Sequence, residues 1–490
     1  MIPGGQRDQT QVDRMVNLIR RQAIEVHRTS DEITVNEGVF PAGSYVVKLN
    51  QPYGPLAKTL LEKQTYPDAS LATYDDSAWT MGMANNIEVK TIEDKAILDV
   101  PATLLTADVT TSGAVGGRDR AGDGSGAVLV VKHNGSLNLI TLRYRLKDQA
   151  VSGATSAFKV GDEEFPAGSF IVPDTDRARR EIEALGLVAT AMPAAPEATV
   201  TDVDLPRIAM YTTWSNTEKV GWVRLAFDRW EIPFALIHKD HVQAGANLRS
   251  RFDVIVMPHQ TQNAKSIVYE QPKLSKPLPY KKSDRFKSMG YYAETDDVRG
   301  GMGLAGAAEL QKFVEDGGVL MTFGIASYFP AEFGLAKGVD AQSPATGFYA
   351  PGPYVNSEIL LPQHPLMWGY DQKTLPIRYA GGPLLRAGPP EGFEAFVGST
   401  PERPQVVVRF QGGETGVLSG LMRSPDQTRN RPMVVDAPTG KGRVILFANN
   451  PIYRWQTFGE HGMVFNGLLY WNDIPPPAPD KPAVTVAEPQ

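Results

Sequence analysis

RIAMYTTWSNTEKVGWVRLAFDRWEIPFALIHKDHVQAGANLRSRFDVIVMPHQ (residues 207–260) decides the fold. Within it, RIAMYTTW (207–214), FALIH (234–238) and FDVIVMPHQ (252–260) are apolar runs of strand length, while GWVRLAFDRWEI (221–232) repeats its apolar residues at helical spacing. Strands that alternate with helices make a parallel sheet, whose apolar strands are covered on both faces. The alternation continues after a long polar insertion (261–301). AGAAELQKFVEDGG (305–318) predicts a helix stopped at Gly317 and Gly318, and VLMTFG (319–324) predicts the next strand. A β-rich stretch follows, and GRVILFANN (442–450) with HGMVFNGLLYW (461–471) closes the domain.

Upstream, VNEGVFPAGSYVV (35–47) returns in register as VGDEEFPAGSFIV (160–172), and each copy precedes a helical pattern, PYGPLAKTLLEKQ (52–64) and DTDRARREIEALG (174–186). Pro-Ala-Gly-Ser predicts a tight turn with Gly43 or Gly168 at positive φ, followed by a buried strand. The run GAVGGRDRAGDGSG (113–126) precedes a strand rather than opening a helix, so it reads as a surface loop and not as a phosphate cradle. MPAAPEATVTDVDLP (192–206) has the Pro, Ala and Thr content of a linker. The expected organisation is an α/β domain with an internal repeat over 1–191, a linker at 192–206, a parallel-sheet domain over 207–474 and a disordered tail at 475–490.

Composition removes several functions. The 49 basic and 55 acidic side chains leave a net charge of -6, which gives no basic field for nucleic acid. No run approaches the ~18 apolar residues of a membrane span, so a soluble chain is expected. The absence of cysteine excludes thiolate nucleophiles and disulfides. None of the seven histidines begins a His-x-x-Glu or His-Glu-x-x-His motif, and the pair His238 and His241 in IHKDH reads as solvated loop histidines without a third zinc ligand.

In open parallel sheets ligands gather where strands end at their carboxyl side. Those ends supply Trp214, Ser215 and Asn216, then His259 and Gln260, then Ser327, and finally Asn449, Asn450 and Arg454. Asp296, Asp297 and Arg299, just before the turn GGMG (300–303), are expected to fold over the same edge. The structural alternative is that these residues cap helices and satisfy loop backbones.

The element order resembles the class I glutamine amidotransferase-like fold, a flavodoxin-type sheet whose active members place a cysteine on a sharp strand-to-helix turn. Here that turn reads FGIASYF (323–329), and Ser327 has neither a neighbouring base nor a G-x-S-x-G elbow. The blocks FPAGSYVVKLNQPYGPLAKTLLEKQTYPD (40–68), YDDSAWTMGM (74–83), TDDVRGGMGLAGAAELQKFVEDGGVLMTFG (295–324) and GRVILFANNPIYRWQTFGEHGMVFNGLL (442–469) carry a second resemblance. Over residues 2–471 they are similar to the region that follows the catalytic domain in large bacterial zinc carboxypeptidase-like proteins of the carboxypeptidase A family.

That resemblance implies a bacterial, secreted or periplasmic peptidase system of which this chain is the non-catalytic half. The polar N-terminus, without a signal-peptide pattern, leaves a cytoplasmic location open. The zinc motifs of the family have no counterpart here, so no catalytic residue or metal ligand is assigned and no cofactor is expected. Zinc belongs to a catalytic domain expected before Met1, on the same gene or a neighbouring chain. The implied function is an accessory region in proteolysis that binds a peptide, a cell-wall fragment or that zinc domain. The alternatives are a free-standing hydrolase of the amidotransferase fold and a structural or assembly protein.

Overall fold

The computed structural model describes residues 1–73, 76–117, 126–260, 263–388 and 403–476. Five parallel strands lie side by side in the order Ala235–Ile237, Ile208–Tyr211, Val254–Met257, Val319–Phe323 and Gly442–Phe447. In chain order this is second, first, third, fourth, fifth, the flavodoxin-like (class I glutamine amidotransferase-like) sheet expected from the sequence. Every residue of Val254–Met257 and of Val319–Phe323 is buried, which is why these segments are apolar without alternation. The helix Gly303–Glu315 ends where expected, with Gly317 at φ +102, and a Cβ on Gly318 would lie 2.3 Å from the Phe313 ring.

Beyond Gly442–Phe447 the sheet turns antiparallel through Pro432–Thr439, Gln405–Phe410, Tyr354–Ile359 and Thr374–Arg378, with Val417–Ser419 also paired to Tyr354–Ile359. The β-rich stretch is therefore an extension of the parallel sheet, which reaches ten strands.

Both repeat copies fold alike. Each begins with a hairpin, Ile33–Val35 with Gly38–Phe40 and Phe158–Val160 with Glu163–Phe165. Each turns through a glycine at positive φ, Gly43 at +83 and Gly168 at +84, and enters a strand, Tyr45–Val46 or Phe170–Pro173. Helices Gly54–Leu61 and Asp176–Ala184 follow. The copies serve different sheets: Tyr45–Val46 is an edge of a three-stranded sheet, whereas Phe170–Pro173 lies inside a six-stranded one.

Three expectations change. Residues 192–206 are not a free linker, because Val200–Asp202 pairs with Ser152–Ala154 and Val203 is buried. The β-branched alternation TVTDV inside the Pro-Ala-rich composition makes the strand. Nor do the two expected domains have separate cores: Leu129, Val131, Phe170 and Val172 share one hydrophobic cluster with the strands of the parallel sheet. In the glycine run, Ala114–Gly117 is a strand parallel to Val188–Met192, while 118–125 lie outside the described residues, as does the expected tail from 477 onward. Among the described residues no helix is long and apolar enough to cross a membrane.

Candidate functional site

The strand ends form two neighbouring cavities. The first, of about 230 Å³, lies over Ile208–Tyr211 and Ala235–Ile237 and is walled in part by the polar insertion. Its walls include Trp214, His238, Tyr280 and Tyr292, with Arg224 and Glu270 as its charged groups. Trp214 stacks on His238 with ring centroids 4.0 Å apart and 16° between planes, and Tyr280 tilts against the indole at 5.5 Å. The backbone N–H of His238 donates to His241 Nδ1 at 3.1 Å, which fixes the short turn Lys239–His241. His238 is therefore a buried wall residue, and the expectation of a solvated loop histidine is corrected.

The electrostatics of this cavity are unusual. Burial pushes Glu270 up to about 8, against the N–H that Trp214 donates to its Oε2 at 3.3 Å, and burial pushes His238 down to about 4. At neutral pH the carboxyl is largely protonated and the imidazole neutral. Arg224 makes no ion pair among the described residues, and its guanidinium lies 3.6 Å from the centre of the Tyr292 ring. Among the described residues, the buried polar atoms of this lining without a partner are Trp214 Nε1, Asn216 Oδ1, His238 Nδ1 and Glu270 Oε1.

The second cavity, of about 170 Å³, is lined by Lys219, His259, Arg378, Asn449, Asn450 and Tyr453. Gly324 makes room for His259, since a Cβ there would sit 2.0 Å from the imidazole Nδ1. Burial, then the Lys219 and Arg378 charges, hold His259 down to about 3. Asn449 Nδ2 donates to Glu460 Oε2 at 2.6 Å, and Arg378 stacks 3.5 Å over Tyr453. Asn216 joins the cavities: it lines the first and donates from Nδ2 to the His259 carbonyl at 2.9 Å.

Of the residues expected at this edge, Trp214 and Asn216 line the first cavity and His259, Asn449 and Asn450 the second. Others are structural. Gln260 is buried and ties two strand ends by accepting from Thr213 Oγ1 at 3.2 Å and donating to the Pro258 carbonyl at 2.9 Å. Ser327 is fully buried, with its hydroxyl 2.9 Å from the Phe447 carbonyl and 3.1 Å from that of Thr322, so it bridges two strands and lines neither cavity. Arg454 Nε lies 3.5 Å from Glu218 Oε1.

The insertion does fold over the edge, but not through its expected residues. Asp297 accepts from Arg299 Nε at 2.8 Å and from its terminal nitrogen at 2.7 Å, and these bonds hold the carboxyl well below its usual range. Asp296 is exposed and pairs with Lys281 at 2.5 Å. The insertion instead contributes Glu270, Tyr280 and Tyr292, which the sequence reading missed because no fixed spacing links them to Trp214.

A larger cavity of about 640 Å³ lies away from the strand ends, between the helix Gln9–Arg21, His133 and the helix Phe458–Leu469. Several of its polar side chains bond one another: Gln11 donates to Asn85, Gln372 to Asn86, and His133 meets Asn466 at 3.3 Å. It lies at a seam between the first region and the sheet domain. Among the described residues no group of three or more His, Asp or Glu side chains is placed to hold a metal ion.

No protein-family model and no curated protein matches the chain. Solved structures give loose likenesses. A cytoplasmic protein from Salmonella typhimurium LT2 is 14% identical over 54% of this chain and 98% of its own, with a TM-score of 0.31. A beta-galactosidase from Bacillus circulans sp. alkalophilus is 12% identical over 55% of this chain and 31% of its own, at 0.30. A protein described as ThuA-like from Bacteroides uniformis is 11% identical over 56% and 93%, at 0.31. At these scores the likeness carries no functional argument, and the fold class rests on the strand order itself.

Proposed function

We propose that this chain is an accessory region in proteolysis, acting beside a zinc peptidase domain of the carboxypeptidase A type and holding a peptide or cell-wall fragment at the strand-end edge. The observation that supports a binding role is the first cavity: aromatic walls, a buried carboxyl oxygen, a guanidinium with no ion pair among the described residues, and polar atoms with bonding capacity left over. The family-like blocks quoted from the sequence support the link to a peptidase. A secreted or periplasmic location belongs to the same proposal.

The test has two arms. Short peptides and muropeptide fragments are expected to shift the intrinsic fluorescence of the purified chain saturably, with the shift lost in Trp214→Phe. Tightly bound stoichiometric zinc together with peptidase turnover by this chain alone overturns the reading.

A further inference from the structure

The first cavity is small for the peptide or cell-wall fragment just proposed. Sites for drug-sized ligands run to about 300–1,000 Å³, whereas this one measures about 230 Å³. Its groups also divide into two kinds. Asn216 Oδ1 and, once the carboxyl ionises, Glu270 Oε1 are acceptors without partners among the described residues, and they stand among the rings of Trp214, Tyr280 and Tyr292. Acceptors among aromatic faces favour an ammonium group, which carries three donors and no acceptor. Among the described residues Trp214 Nε1 is a donor without a partner, and Arg224 is a guanidinium without a carboxylate. The first turn of the 13-residue helix Thr217–Arg229 opens on the same wall, where its N-cap Asn216 makes no side-chain cap bond. Donors at a helix N-terminus favour a carboxylate.

We infer that the cavity between Trp214 and the insertion binds a free α-amino acid, its ammonium held by Glu270, Asn216 and the aromatic rings and its carboxylate by Arg224. This inference rests on the reading of the strand-end edge as a binding site and names the ligand class for it. Two further features agree. Glu270 occupies φ +45, an uncommon conformation for a side chain with a Cβ, at the position where the carboxyl faces the cavity. Its protonated state at neutral pH gives the site a proton to release when an ammonium arrives, so binding is coupled to ionisation of Glu270.

Isothermal titration of the full chain with the common L-amino acids tests the inference, with each ligand also supplied as its N-acetyl derivative, which lacks the ammonium, and as its amide, which lacks the carboxylate. At least one free amino acid is expected to bind, and each blocked form is expected to bind about tenfold or more weakly, the scale of one charged hydrogen bond. At pH 7 the observed heat is expected to vary with buffer ionisation enthalpy, reporting proton release, and Glu270→Gln abolishes that dependence. Arg224→Met, at a partly exposed position, keeps the fold and weakens the free acid but not its amide.

Equal binding of free and blocked forms overturns the inference. So does binding of peptides or muropeptides without any free amino acid, an outcome that leaves the wider reading of the edge standing. Failure of every solute to bind removes both.

Discussion

The indole of Trp214 lies flat on the imidazole of His238, 4.0 Å between ring centres, so the ends of two adjacent parallel strands are joined by one aromatic stack. The stack forms a wall of the cavity and also holds the turn after Ala235–Ile237 against the turn after Ile208–Tyr211.

Trp214→Ala is expected to remove both functions. A stacked aromatic pair contributes about 0.5–1.5 kcal/mol beyond its buried area, so urea unfolding of the variant shifts to a lower midpoint, while Trp214→Phe keeps most of the stability. An unchanged midpoint in Trp214→Ala contradicts the wall role.

Glu270 gives a pH dependence of defined sign. Its folded value of about 8 stands above the ordinary 4.5, so the folded state binds the proton more tightly. Its contribution to stability is complete below about pH 4.5 and is lost as pH rises through about 8. Urea midpoints measured across that window are expected to fall less steeply in Glu270→Gln than in the parent chain.

His133 works in the opposite direction. It is buried, with Nε2 3.3 Å from Asn466 Oδ1, and burial holds it down to about 4 from the usual 6.5. Its contribution is present above about pH 6.5 and is lost as pH falls through about 4. Acid unfolding followed by circular dichroism is expected to begin at lower pH in a folded His133→Gln variant.

The two repeat glycines are expected to differ although their φ values match. Alanine at either position meets the left-handed penalty of about 1–2 kcal/mol. Around Gly43 the nearest atom is the flexible Arg28 guanidinium at 3.4 Å, whereas a Cβ on Gly168 would lie 2.4 Å from the buried His133 ring and 3.1 Å from Trp368. Gly168→Ala therefore carries an added overpacking cost of about 1–3 kcal/mol, visible as a larger drop in urea midpoint than in Gly43→Ala.

Ser327→Ala separates structural from binding roles. It removes a buried hydroxyl that bridges the Thr322 and Phe447 carbonyls, so a loss of about 1–3 kcal/mol is expected with unchanged ligand affinity. Lost affinity at full stability would return Ser327 to the site.

How much of this was legible in the sequence follows from the range of each signal. Periodicity is local, so the five parallel strands, their helices and the duplicated turn at Gly43 and Gly168 could be read directly. The strand Val200–Asp202 was hidden by its Pro-Ala-rich neighbours, and the shared core between 129–172 and the parallel sheet is a tertiary fact without a local signature. At the site, position after a strand found Trp214, Asn216, His259, Asn449 and Asn450 but not whether a side chain turns into a cavity or back into the core, as Ser327 and Gln260 do. Glu270, Tyr280 and Tyr292 lie in the insertion far from Trp214 in sequence, and only the folded chain brings them together.

The central claim is that ligand enters at the strand-end cavity walled by Trp214 and the insertion. Hydrogen–deuterium exchange of the full chain, with and without a mixture of free amino acids and muropeptide fragments, tests it most directly. Protection confined to the segments around 212–224, 236–241 and 270–298 is the predicted result. Protection centred instead on the seam between His133 and Trp368, or none anywhere, contradicts the account.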